Sequence, residues 1–80
     1  MTSNLDGLID EKFLEKNIMI SNALYSAGIK TYNDLFACAN KKYNLYYIPQ
    51  LGIGSINIIN RHVIGKFKRS LPNYKKNIHY

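Results

Sequence analysis

No tryptophan occurs in this chain, cysteine occurs once, and no acidic residue follows Asp34. Each scarcity excludes something. The lone Cys38 cannot form an internal disulfide, which suits a reducing, intracellular setting. No apolar run approaches the ~20 residues that a bilayer-crossing helix requires. The N-terminus lacks a basic stretch followed by a hydrophobic block, so no secretory signal is read there. The expectation is a soluble, cytoplasmic protein without a membrane partner. At 80 residues the chain holds one small domain with a marginal core, and seven tyrosines with three phenylalanines supply its bulk.

Charge is more informative in its layout than in its total of +6. Asp6, Asp10, Glu11 and Glu15 crowd the start, and Asp34 is the last acid. Beyond it stand Lys41, Lys42, Arg61, Lys66, Lys68, Arg69, Lys75 and Lys76, with nothing to balance them. A one-sided basic half favours an anionic partner, and nucleic acid is the first candidate.

Apolar spacing along the chain is helical, and no segment reads as a strand. Residues 1–7 are expected to be a loose, flexible start. Leu8, Ile9 and Phe13 recur at helical spacing, with Asp10 and Glu11 early, where the helix dipole favours negative charge. Asn17 to Ile20 reads as a break, with Ser21 capping a second helix that carries Ala23, Leu24 and Ala27 and closes at Gly28. In "TYND", Thr31 and Asp34 form a capping box for a third helix containing Leu35, Phe36 and Ala39. Asn40 is a candidate cap for a fourth helix, "KKYNLYY", which Pro49 must halt. The longest helix is expected from about Gly54 to Lys68, with Ile56, Ile59, Val63 and Phe67 on one stripe and Pro72 ending it. The foldable domain thus spans 8–71, and 72–80 reads as a basic, disordered tail. Short helices joined by tight turns make an all-α compact bundle of four to five helices.

Little in the chain speaks for catalysis. No nucleophile–base pair and no phosphate loop with a lysine is present. His62 and His79 lack partners at metal-ligand spacing, so no metal and no cofactor is expected. Cys38 reads as a small buried hydrophobe.

The residues that do suggest chemistry are "PQLGIGS", Pro49 to Ser55. Glycine weakens a helix interior, so a pair at a helix start must serve something else. The first amides of a helix lack helical acceptors and point outward with the positive end of the dipole behind them. The absence of side chains at Gly52 and Gly54 lets a phosphate approach the N–H groups of Gly54, Ser55 and Ile56. Ile53 is expected to plug downward and lock the turn onto the core. Hydrophobic–Gly–hydrophobic–Gly between two helices looks like the helix-hairpin-helix motif.

The likeness extends further back. "NALYSAGIKTYNDL", residues 22–35, followed by "IPQLGIGSINII", resembles the C-terminal domain of the bacterial RNA polymerase alpha subunit. The matching positions are Asn22, Leu24, Ala27-Gly28-Ile29, Asp34-Leu35, Pro49, Leu51, Gly52 and Ser55, and the likeness covers roughly residues 14–67. It implies a four-helix bundle closed by a helix-hairpin-helix that holds the minor groove of A/T-rich DNA and meets transcription activators. By the same resemblance, Asn22, Gly52 and Ser55 touch DNA, and Gln50 takes the place of a loop asparagine. Two positions depart from the pattern. Met19 stands where the family has its groove-entering arginine, and Gly54 stands where it has a lysine. The stretch from Leu35 to Pro49 is also about two residues longer than the pattern.

The sequence therefore points to a small module that binds double-stranded DNA non-specifically through Asn22, Gln50, Gly52, Gly54 and Ser55. Arg61, Lys68 and Arg69 would follow the backbone further along the last helix. A helical wheel sets Ile58 opposite the apolar stripe, beside Arg61, His62 and Arg69. The competing expectation is an adaptor of the same fold that engages RNA polymerase or a transcription factor through Met19, Ile58 and the tyrosine-rich corner at 43–47. An accessory domain of a repair enzyme would share the hairpin but need a larger catalytic chain.

Overall fold

The computed structural model describes residues 4–40 and 44–72. Its α-helices are α1 (Glu11–Lys16), α2 (Ile18–Ser26), α3 (Tyr32–Asn40) and α4 (Ile53–Phe67), with 3-10 turns at Asn4–Asp6 and Asn44–Tyr47. The fold is all-α. Among the described residues the one extended pairing is an isolated antiparallel bridge between Leu8 and Thr31. The proposed first turn of "KKYNLYY" (41–43) and the tail at 73–80 lie outside the described residues. What is described of that fourth helix is 3-10 and not α.

The start of the chain departs from the helical reading. Ile9 N–H donates to the Lys30 carbonyl and Tyr32 N–H to the Gly7 carbonyl, both at 3.1 Å. Residues 7–9 therefore lie alongside 30–32, burying Ile9 and exposing Leu8, and helix begins only at Glu11. Residues 4–7, expected to be loose, include a 3-10 turn whose Leu5 packs against the core.

The break between the first two helices is a single residue. Asn17 donates its side-chain amide to the Phe13 carbonyl at 2.8 Å, ending α1, and its own carbonyl accepts Ser21 N–H at 2.8 Å, starting α2. Ser21 is consequently inside α2 and does not cap it. The reason is burial: Ile20 joins Ala23 and Leu24 on one helical face, and only an earlier start carries it into the core. At the other end Ala27 caps the helix, and Gly28 takes φ 78°. Gly28 N–H reaches Tyr25 O and Ile29 N–H reaches Leu24 O, the paired bonds of a Schellman ending. Here glycine is required by the backbone.

The capping box is formed as read. Asp34 N–H donates to Thr31 Oγ1 at 3.0 Å, and the Asp34 carboxylate accepts the N–H of Thr31 at 3.2 Å and of Lys30 at 3.1 Å. Those two donors hold the Asp34 carboxyl below its usual range.

Helix α4 closes the bundle. Ile56, Ile59 and Val63 are almost fully buried, and so is Asn60, whose Oδ1 accepts Leu71 N–H at 2.8 Å. That bond ties the chain beyond α4 back onto the helix. Pro72 does not end it: Lys68 does, in a left-handed conformation with φ 61°. On the opposite edge His62 stacks on Phe13 at 4.2 Å, its Nε2 2.8 Å from the hydroxyl of buried Tyr32. The same hydroxyl accepts Asp10 N–H at 3.0 Å, and Lys66 pairs with the Asp10 carboxylate at 3.4 Å. The approach to α1, the start of α3 and the back of α4 meet at this cluster.

Two stability predictions follow from these bonds. Thr31→Ala removes a cap and is expected to lower the unfolding free energy by about 1 kcal/mol in urea titrations. Burial, aided by the Lys66 charge and opposed by Asp10, holds the His62 pKa below its ordinary 6.5. The unfolded chain therefore binds more protons as pH falls below that value, and the fold loses stability. The urea midpoint is expected to drop between about pH 7 and about pH 5, and His62→Gln to flatten that drop. The contribution of Asp34, whose pKa is also depressed, is lost only at lower pH, through the carboxylate range.

Candidate nucleic-acid interface

The approach to α4 is a tight turn. Leu51 N–H donates to the Ile48 carbonyl at 3.1 Å, with Pro49 and Gln50 between them. Gln50 has φ 70°, so the turn is of the type that normally places glycine or asparagine at this position. Proline supplies the fixed φ before it. Leu51 is buried and anchors the turn. Ile53, expected to be the plug, is 44% exposed, because the helix starts one residue sooner than Gly54 and turns Ile53 outward.

Gly52 is the N-cap, extended at φ −88° and ψ −176°, and its carbonyl accepts Ile56 N–H at 2.9 Å. Ile56 N–H is therefore engaged, not free. The amides without a helical acceptor are those of Ile53, Gly54 and Ser55, and among the described residues no other group accepts from them. Beyond its chain neighbours and the helix's own backbone, a Cβ built on Gly52 or Gly54 would meet no described atom within 4 Å. Neither glycine has a positive φ that would require it. Neither conformation nor internal packing calls for glycine here. What the missing side chains do give is open access to main-chain N–H groups from outside.

The other sequence-derived residues divide into groups. Asn22 is exposed on α2, the helix that borders the turn across a crevice of about 350 Å³ lined by Ala23, Ser26, Ala27, Ile48, Pro49 and Gln50. Gln50, Gly52 and Gly54 are exposed in the turn and first helical turn, with Ser55 half-buried beside them. Arg61 is exposed on the outer side of α4, seven residues from Gly54 and so about 10 Å along the axis on the same stripe. Lys68 and Arg69 lie at the far end, about 20 Å from the glycines. The Arg69 guanidinium is 4.6 Å from the Phe36 ring centre, a cation–π contact that fixes its position. One phosphate cannot engage both ends, and the structure strings these groups along a helix instead of gathering them.

Ile58 is exposed, as the helical wheel indicates, but His62 is not its neighbour on an open face. It is drawn under α1 by Phe13 and Tyr32. Lys66 is likewise turned to Asp10, whereas among the described residues no ion pair engages Arg61. Of the tyrosine corner, Tyr47 is exposed, Tyr46 packs partly against the core, and Tyr43 lies outside the described residues. Cys38 also packs half-buried against the core. Asn60, Tyr32 and the Asp10 cluster were not legible as a unit. Asn60 in an apolar register was the one signal available, since a buried amide needs a partner.

Gln50→Gly is expected to raise the unfolding free energy by about 1 kcal/mol, because the left-handed conformation costs a side-chain-bearing residue about that much. Urea denaturation of the variant checks it. Among the described residues no helix is long and apolar enough to cross a membrane. Comparison of the chain with protein-family models, with curated proteins and with solved structures finds no match in any of the three.

Proposed function

We propose that this chain is a small DNA-binding, transcription-associated module, similar to the C-terminal domain of the bacterial RNA polymerase alpha subunit and acting in the cytoplasm. The observation that carries the reading is the start of α4, where among the described residues nothing accepts from the amides of Ile53, Gly54 and Ser55 and open space lies over both glycines. An anion held there gains charge-assisted hydrogen bonds and the positive end of a 15-residue helix dipole. A backbone phosphate of double-stranded DNA has that chemistry, with Asn22 and Gln50 as hydrogen-bonding neighbours. Arg61, on the same outward stripe, supplies a second phosphate contact, and Lys68 and Arg69 add attraction at the far end. Met19 in place of a groove-entering arginine removes the means of reading a narrow minor groove, so binding is non-specific. Affinities of roughly 1–100 µM and a strong salt dependence go with such a site.

Fluorescence anisotropy of a labelled duplex, titrated at several salt concentrations, tests this reading. The wild type is expected to bind more weakly as salt rises. Gly54→Glu is expected to fold at least as well, since acid in a first helical turn is favourable, yet to lose at least about tenfold in affinity. Equal binding by both chains refutes the amide seat.

One observation favours a second reading, an adaptor for RNA polymerase or a transcription factor. Met19 is 69% exposed on α2 with exposed Ile18 beside it, and Ile58 and Tyr47 are exposed elsewhere. Chemical-shift mapping separates the two, because DNA moves the amides of Gly52 to Ile56 and an adaptor's partner leaves them in place.

A further inference from the structure

A second concave feature has the opposite character to the α4 start. Between α1, α2 and the segment at 29–30 runs a groove of about 500 Å³, within the range of ligand pockets. Its floor is core: Ile9, Leu24 and Ile29 are buried there. Its walls include Leu8, 72% exposed, and Tyr25, 71% exposed, the first from the extended segment before α1 and the second from α2. Large apolar side chains standing over an apolar floor leave surface whose removal from water is worth about 25 cal/mol per Å². An unfilled pocket edged this way marks a contact site.

Charge selects the occupant. Asp10 and Glu11 line the groove, so two of the chain's five acids sit here on a molecule of net charge +6. Among the described residues no ion pair engages Glu11. The Asp10 carboxylate, though paired with Lys66, stays 43% exposed. The Tyr25 ring already takes a cation on its face, with Lys30 Nζ 5.7 Å from its centre. From this we infer that the groove docks a short basic segment of a partner protein, one bulky apolar side chain seated between Leu8 and Tyr25 and its neighbouring Lys or Arg paired with Glu11. A polyanion or an acidic peptide is opposed there by Asp10 and Glu11, Lys30 being the one cation among the described lining residues. Lys30 competes with the incoming cation for the Tyr25 ring. Its main-chain carbonyl accepts Ile9 N–H and its N–H donates to Asp34, bonds that a substitution of the side chain leaves in place.

The test is an NMR titration of the isotope-labelled chain with a capped peptide in which a central leucine is flanked by lysines. Shifts are expected at the amides of Leu8, Glu11, Tyr25 and Lys30, with a Kd of about 1 mM or tighter. Glu11→Lys, at an exposed position, weakens binding severalfold, and Lys30→Ala strengthens it by freeing the ring and removing like charge. A peptide with aspartates in place of the lysines, or serine in place of leucine, leaves the groove amides unmoved. Absence of shifts, equal binding of the acidic peptide, or the same shifts on concentrating the chain alone (a second copy as occupant) each overturn the inference. The amides read here exclude Gly52 to Ile56, so failure of DNA binding leaves this test intact.

Discussion

Burial of one stripe of α4 is the constraint on which the remaining geometry depends. Ile56, Ile59 and Val63 are each essentially inaccessible to water, and each contributes about 1.5–3 kcal/mol by leaving it. In a chain this small that is a large share of what opposes conformational entropy. With the stripe seated, the rotation of the helix is settled. Gly54, Ile58 and Arg61 must face outward, and the first amides must emerge where the Pro49 turn meets the surface. The candidate phosphate seat is thus a by-product of core packing at three residues that never touch it.

The polar cluster around Tyr32 does for orientation what the stripe does for burial. Its hydroxyl links Asp10, ahead of α1, to His62 on the back of α4. Apolar contacts alone tolerate small slides between helices. A buried hydroxyl with two specific partners does not, because losing either leaves a polar group unsatisfied. The Asn60 bond to Leu71 holds the opposite edge of α4 in the same manner. Between these two fastenings the helix has little freedom to roll, and the electrostatics divide accordingly. Lys66 and His62 are absorbed by Asp10 on one side, while Arg61 remains available on the other.

Acid and base meet at Asp10 and Lys66, while Glu11 and Arg61 lie apart, on α1 and on the outer side of α4. The proposed anion seat is the start of α4, with Arg61 on the same outward stripe. The proposed cation site is the groove between Leu8 and Tyr25, which Asp10 and Glu11 line. If both proposed sites bind as argued, their opposite charge preferences keep the two partners from competing for one surface.

Much was legible in the sequence by itself. The Thr31–Asp34 capping box and the Gly28 ending rest on contacts no more than about five residues apart, and the all-α class and the buried face of α4 follow from helical spacing, which local pattern reports directly. What needed the tertiary structure was every choice between equally helical alternatives. Leu8 reads as helical by period, yet pairing with Thr31 draws it into an extended segment. Ser21 reads as a cap, yet the core's need for Ile20 starts the helix earlier. Ile53 reads as the plug, yet the start of α4 at Ile53 turned it outward, and Leu51 took its place in the core. His62 looked as free as Arg61 until Phe13 and Tyr32, distant in sequence, covered it. The physical reason is common to all four: the energy that decides them comes from partners about ten to fifty residues away, and pattern within a single helix carries no record of those.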